Sequence, residues 1–313
     1  AAVNAAVAYM SQDVKVACGT CSEVCRVRIP PGASTLQFEC PTCHSKNEFT
    51  FGAQHGEDDG FEAIVPSWWQ KTPAMGESEL MPVSQKVQKQ VQELVDRTWK
   101  GITTRDRGYG KVSKLQVVQV QQNHNPQLWR NYCRAREQIR KVMKKDDKIA
   151  INTTKVQEQD NENFMCLGDE DLEVNEALLF HGTKPSAVEN ICKSDFMIKM
   201  AGSSAGTLYG PGVYFGENSS KSDEYAADDK TGIYSGLFAM LLCRVTCGRM
   251  LYTDDVSPDV SRIVDSCTGP SRQFHSCLGD RQKARGTYRE FIVYNADQAY
   301  PEYVIIYRRE LEE

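Results

Sequence analysis

Two short runs, Leu178-Leu179-Phe180-His181-Gly182-Thr183 and Gly210-Pro211-Gly212-Val213-Tyr214-Phe215, limit what the middle of this chain can become. Each joins a strand-like apolar segment to a polar or glycine-marked turn, so the backbone can approach a ligand closely while side chains at the strand end face it. A third run, Tyr288-Arg289-Glu290-Phe291-Ile292-Val293-Tyr294, sets a carboxylate at the start of a strong β pattern. Together they offer a His, a Tyr and a Glu at strand edges. Taken singly, each has an ordinary explanation. A His after an apolar strand is more often a satisfied structural residue, a Tyr within Val-Tyr-Phe is usually core, and a Glu opening a strand is usually solvated.

At 313 residues the chain has room for one large domain and a small module, or for two medium domains. Its net charge of −5 argues against a broad basic surface that would hold nucleic acid through its phosphates. No apolar run approaches the roughly 20 residues of a membrane helix, and the alanine-rich start lacks the basic region of a secretory signal. We therefore expect no membrane association. The first residue is Ala, which leads us to expect a piece of a longer protein with targeting information elsewhere.

The twelve cysteines include two C-x-x-C pairs, Cys18-Gly19-Thr20-Cys21 and Cys40-Pro41-Thr42-Cys43, eighteen residues apart. Tetrahedral zinc needs four soft ligands at one point, and two such knuckles joined by a β-prone hairpin turning at Pro30-Pro31-Gly32 supply them. A zinc ribbon over residues 14–50 is the expectation, with Cys18, Cys21, Cys40 and Cys43 as ligands and the metal supplying most of its folding energy. Cys25 and His44 stand close enough in sequence to substitute in that set. The other cysteines are scattered through apolar segments, which favours a reducing intracellular compartment, nucleus or cytoplasm, over a disulfide framework. Zinc ribbons serve nucleic acid, protein and purely structural roles, and Arg26, Arg28 and Lys46 are too few to choose a partner.

Residues 1–13 carry no period and read as a tail. Residues 51–74 read as a linker, with Trp68-Trp69 expected to pin it onto a domain surface, since adjacent indoles are seldom left in water. Ser84 can cap a helix that turns Val87, Val91, Leu94, Val95 and Trp99 to one side. Leu115 to Val120 alternates as a strand. Asn125-Pro126 opens a second helix, with Leu128, Trp129, Tyr132, Ile139, Val142 and Met143 inward and a solvated basic face of Arg134, Arg136, Arg140, Lys141, Lys144 and Lys145.

The order of the motifs changes their weight. His-Gly-Thr, then Gly-x-Gly-Val-Tyr-Phe, then Ser219-Ser220-Lys221-Ser222 with Tyr225, then Glu-Phe-Ile-Val-Tyr and Ala299-Tyr300-Pro301-Glu302-Tyr303 resemble the catalytic domain of the poly(ADP-ribose) polymerase family. The resemblance covers roughly the last three quarters of the chain. It implies an α+β ADP-ribosyltransferase fold, two packed and mostly antiparallel sheets with flanking helices, over residues 75–313. The start of this domain is similar to the branch of tankyrases and mono-ADP-ribosylating members. The linker is too short to contain the all-helical regulatory domain that some members carry.

What the resemblance implies for the site follows residue by residue. His181 would contact an NAD ribose hydroxyl, Gly182 would bind the nicotinamide carboxamide through its backbone with Ser222 as side-chain partner, and Tyr214 and Tyr225 would stack on the ring. Thr183 matches the family's small hydroxyl residue. Glu290 matches the catalytic glutamate. The loop 200–209 would lie over the donor and the segment 266–286 would border the acceptor. Gly216 stands where many members have Ala, and residues 226–240 lack the Cys and His of the tankyrase metal site, so a second metal is not expected.

The function implied is transfer of ADP-ribose from NAD, a substrate here, to acceptor proteins including the chain itself, with nicotinamide released and chain elongation permitted by Glu290. The competing reading is a zinc-ribbon adaptor with a non-catalytic NAD- or ADP-ribose-binding domain. His181, Tyr214 and Glu290 together argue against it, because a site freed from catalysis has no physical need of all three. A toxin-like transferase is a third reading, disfavoured by the ribbon.

Overall fold

The structure, a computed structural model, describes residues 12–17, 24–29, 35–50, 61, 63–102, 104, 112–144, 147–160, 164, 167, 170–198 and 207–311. The chain divides into two compact units between Phe61 and Glu62. In the smaller unit β1 (Gln12–Ala17) pairs antiparallel with β2 (Val24–Ile29), and β3 (Thr35–Glu39) pairs antiparallel with β4 (Lys46–Thr50). Cys18 and Cys21, the first predicted knuckle, lie outside the described residues.

The larger unit opens with β5 (Glu79–Pro82) and α1 (Gln85–Arg97), which starts where Ser84 Oγ accepts the Val87 N–H. β6 (Val112–His124) follows, longer than its alternating centre predicts because β13 (Ala299–Leu311) pairs along most of it. Asn125 caps α2 (Pro126–Arg140) through Leu128 N, with Pro126 at the first helical turn. The helix stops at Arg140, so Val142, expected inward, is 55% exposed. Its basic face is not wholly solvated either. Arg136 reaches the buried Glu176 at 3.0 Å, and Arg140 pairs with Asp171.

The remaining elements are α3 (Asn152–Glu158), β7 (Glu176–Thr183), α4 (Pro185–Ser194), β8 (Val213–Gly216), α5 (Ser219–Asp223), β9 (Phe238–Thr246), β10 (Met250–Thr253), α6 (Val260–Thr268), β11 (Ser276–Asp280), α7 (Arg281–Arg285) and β12 (Arg289–Val293). Nine strands form one sheet in the order β10-β11-β12-β8-β7-β9-β13-β6-β5, antiparallel except at β10 and β11. Two separate sheets were expected. They are instead two halves, joined where β7 meets β8 through the single pair Phe180 and Gly216.

Alternation along the strands sorts the core into three apolar layers. Leu179, Leu241, Phe215 and Phe291 face one way with Val188 and Cys192 of α4, in a cluster shared by both halves. On the other side, Leu178, Phe180, Met240 and Ile305 meet Val91, Leu94 and Val95 of α1, while Cys277 and Ile292 meet Tyr209 and Ile263 of α6. Trp69 does pin the stretch read as linker, stacking on His124 at 4.8 Å and buried beside Trp129 and Tyr300. Its neighbour Trp68 is 42% exposed. Among the described residues no helix is long and apolar enough to cross a membrane.

Candidate functional site

The join between the half-sheets is where the predicted residues gather. β7 pairs with β9 along its whole length, Glu176 to Thr183, but with β8 only at Phe180. Beyond that residue β7 and β8 part, and His181, Gly182 and Thr183 border the opening on one side while Tyr214 borders it on the other.

Glu290 sits in the row Gly279, Glu290, Gly216, Phe180 across β11, β12, β8 and β7. Its two cross-strand neighbours are glycines, so neither crowds the carboxylate. The space beside Gly279 is taken by Tyr209, whose ring would be 2.0 Å from a Cβ there. The space beside Gly216 is taken by Ser222, whose Oγ would be 3.1 Å from a Cβ. Glu290 is 9% exposed and is met by Lys221 Nζ at 3.2 Å.

Lys221 is the residue that sequence reasoning left without a role. Its ammonium lies 3.2 Å from Glu224 Oε2, donates to Tyr225 Oη at 3.0 Å, and stands 4.6 Å from the centre of the Tyr225 ring. Burial alone would discharge it, but Glu290, Tyr225 and Glu224 outweigh burial and raise its pKa above the ordinary lysine value. The available signal was a cation immediately before Ser222, inside a serine run that leads to Tyr225.

Tyr214 shares the Glu290 face by its pairing with Ile292. Its hydroxyl accepts from Tyr209 N at 3.0 Å and donates to Gly210 O at 2.9 Å, which fixes the ring. Burial raises the phenol's pKa above its ordinary value, so Tyr214 offers a neutral ring wall. Gly182 faces α5 so closely that a Cβ would lie 1.9 Å from Ser222 O. Ser222 Oγ in turn donates to Phe180 O at 2.9 Å. Tyr225 is 47% exposed, with the Lys221 ammonium over its ring.

His181 does not share the Tyr214 and Glu290 face. Its ring leaves β7 on the opposite side, 5.2 Å from Phe196 and 5.7 Å from Phe215, and bridges the opening by a 2.9 Å hydrogen bond to Tyr214 O. A carbonyl can only accept, so Nδ1 carries the proton and Nε2 is left as an acceptor. Burial lowers the imidazole pKa, with the bond to Tyr214 opposing it, and favours this neutral form. Thr183 ends β7, its carbonyl accepting from Ala227 N at 3.3 Å.

A profile of the poly(ADP-ribose) polymerase catalytic domain matches residues 97–309, which include all of these groups. The chain belongs to this family. Among its relatives, a probable poly [ADP-ribose] polymerase of Dictyostelium discoideum is 25% identical over 199 residues, 64% of this chain and 46% of that protein. Protein mono-ADP-ribosyltransferase PARP11 of Mus musculus is 25% identical over 218 residues, 63% of this chain and 54% of its own. Protein mono-ADP-ribosyltransferase PARP12 of Mus musculus is 33% identical over 138 residues, 43% and 17% of the two chains. The match thus spans about half the length of the first two relatives.

The matched region of this PARP-family chain begins well after the cysteine-rich unit. There Cys25 and Cys40 are buried with their thiols 3.8 Å apart, and Cys43 is partly buried in the same cluster. His44 turns away, its side chain 78% exposed and paired with Glu39. Among the described residues no group of three metal-ligating side chains converges.

Proposed function

We propose that the chain transfers ADP-ribose from NAD to protein side chains and releases nicotinamide. The observation that carries this reading is Glu290, buried between two glycines beside the opening in the sheet, within reach of Lys221 and on the face of the Tyr214 ring. Cleaving the bond between nicotinamide and ribose develops positive charge on the sugar while a neutral base departs, so catalysis gains from a fixed anion where the cation forms. The same demand places carboxylates beside oxocarbenium-like centres in glycoside hydrolysis.

In this reading the Gly182 backbone and Ser222 hold the carboxamide, Tyr214 and Tyr225 enclose the ring, and the His181 Nε2 accepts from a ribose hydroxyl. Thr183 lies at the same strand end. Glu290 holds a hydroxyl of the nicotinamide ribose, stabilises the cation and orients the acceptor nucleophile, while Lys221 holds the carboxylate in place. Two of the relatives carry names as mono-ADP-ribosyltransferases; a carboxylate at Glu290 also permits elongation. Gel mobility after labelling separates the two, a sharp band for single units and a ladder for polymer.

The test is transfer from labelled NAD to the chain itself or to added protein. Glu290→Gln is expected to lower the rate by about a hundredfold or more, the size of effect seen when a preorganised electrostatic group is removed, and to abolish any elongation first. Folded protein that releases no nicotinamide overturns the reading.

For the smaller unit we propose a zinc ribbon held by Cys18, Cys21, Cys40 and Cys43, supported by the spacing of the two C-x-x-C pairs in sequence and by the burial of Cys40. Zinc bound there would supply folding energy to a segment too small for a sufficient core. Metal analysis is expected to give one zinc per chain. Retention of zinc after Cys18→Ser with Cys40→Ser would show the ligand set to be wrong.

A further inference from the structure

One residue beyond Glu290 along the strands lies a cavity of about 410 Å³ whose lining is polar throughout. Asp280 pairs with Arg289 in the row next to Gly279 and Glu290, and Glu217 follows Gly216 at the end of β8. Arg289 leaves β12 on the face opposite Glu290, so the cavity flanks the carboxylate without containing it. Lys100 and Lys155 form part of the wall. The Lys100 N–H donates to Ser220 Oγ at 3.1 Å, immediately before Lys221.

The charges here do not balance, and which ones are engaged decides what the cavity can hold. Both acidic groups are occupied from within. Glu217 accepts two bonds from Arg289 at 2.6 Å and one from Asn152 N at 2.5 Å, and Asp280 accepts from Tyr252 Oη at 3.0 Å and Lys283 N at 2.9 Å. Arg289 is matched by Glu217, and Lys283 by Asp254 at 2.5 Å. Lys100 and Lys155 are not matched by a carboxylate among the described residues; Lys100 Nζ donates only to the neutral Gln282 Oε1, at 3.1 Å. A cation entering the cavity finds acidic oxygens already in use, whereas an anion finds two ammonium groups on a protein whose net charge is −5.

The geometry points to an acceptor subsite in which Lys100 and Lys155 hold an oxyanion side chain, carboxylate or phosphoryl, of the polypeptide being modified. This rests on the transferase reading and adds the substrate class: acceptors with an acidic residue close to the modified one. Arg289 of the wall adjoins Glu290 along the strand, so the cavity starts one residue from the carboxylate, a step of about 3.3 Å that one residue of an extended peptide covers. Among the described residues no aromatic ring lines it, so they offer no stacking platform of the kind single-stranded nucleic acid uses.

The experiment measures binding of fluorescent peptides, identical except for Asp, phosphoserine or Asn beside a central acceptor, to the full chain at low salt without NAD. The acidic peptides are expected to bind about tenfold tighter than the Asn peptide, as two charge-assisted contacts supply. Lys100→Gln with Lys155→Gln should bring all three within about twofold. Lys155→Glu, a change at an exposed position, should remove the preference by setting a negative charge beside Lys100. Preference for phosphoserine over Asp, or the reverse, identifies the source of the oxyanion. Equal binding of all peptides, no binding up to millimolar concentration, or a preference that survives the lysine variants overturns the proposal, as does lysine-dependent binding of an oligonucleotide in place of the peptides. Nicotinamide release without peptide, followed in parallel, is expected to be unchanged in the variants. Its absence from the unaltered chain sinks the transferase reading without touching the peptide result.

Discussion

Gly182 and Gly216 read alike in the sequence, each closing an apolar run, yet the structure separates them sharply. A Cβ on Gly182 meets Ser222 O at 1.9 Å, a backbone atom that cannot rotate away. A Cβ on Gly216 meets Ser222 Oγ at 3.1 Å, and a hydroxyl can shift by the few tenths required. Gly182→Ala must therefore push β7 and α5 apart, and we expect a melting point several degrees lower and NAD affinity reduced at least tenfold, on the order of 1.4 kcal/mol. Gly216→Ala is expected to change both little. Thermal melting and NAD titration of the two variants side by side check this, and equal effects would show that the close approach of α5 is not what Gly182 is needed for.

At the scale of elements, the five-residue α5 carries Lys221 and Ser222 and leads to Tyr225, yet it is far too short to be helical by itself. Its start is held to the end of α1 by Asn218 Nδ2 on Thr98 O at 2.9 Å and Ser219 Oγ on Val95 O at 2.7 Å. Its end is held to β13 by Tyr307 Oη and Arg309 Nε, at 2.6 and 2.8 Å from Asp223 Oδ1. Arg309→Met takes from the buried Asp223 the ion pair that Arg309 makes with it and should cost about 3 kcal/mol, read by denaturant unfolding. Transfer activity should fall with it, because the groups that meet Glu290 and the ring ride on this helix; Tyr307→Phe should be milder, about 1 kcal/mol. None of this was legible in the sequence, since Asp223 and Arg309 are far apart along the chain and nothing local marks them as partners. What was legible was local: Ser84 and Asn125 fix where α1 and α2 begin by bonds to N–H groups three residues on. The end of α2 was not, because the apolar period continues through Val142 after the helix has stopped.

For the molecule as a whole, the sequence marked the strands that bear the site but not that they belong to two half-sheets joined at one residue pair, which depends on pairing between distant strands. That arrangement buries ionisable groups, and their protonation makes the stability of the larger unit depend on pH. Burial lowers the pKa values of His124, His181 and His275 below the ordinary 6.5. His275 also needs a bare Nδ1, which accepts from Arg249 N at 2.9 Å. Below pH 6.5 the unfolded chain binds protons that the folded chain refuses, so this contribution is complete above that value and is lost as pH falls through the folded pKa values. Glu176 adds a second loss at lower pH. Burial alone would raise its carboxyl, but Arg244 and Arg136 hold it below the usual 4.5. Asp195 works the other way, because burial, opposed by the Phe196 N–H and aided by Asp297, raises it to about 7. The folded state then keeps a proton that the unfolded state has released, a cost that grows from pH 3.8 to about 7 and is constant above. The histidines and the raised carboxyls Asp195 and Glu170 therefore pull in opposite directions as pH falls, and the part due to Asp195 is read from its own substitution. Asp195→Asn keeps a side-chain oxygen for Phe196 N and a side chain of the same shape at the positive φ of 76° that Asp195 already adopts. It should therefore raise the melting point more at pH 8 than at pH 5, and an equal gain at both would mean that Asp195 titrates as an ordinary surface carboxyl.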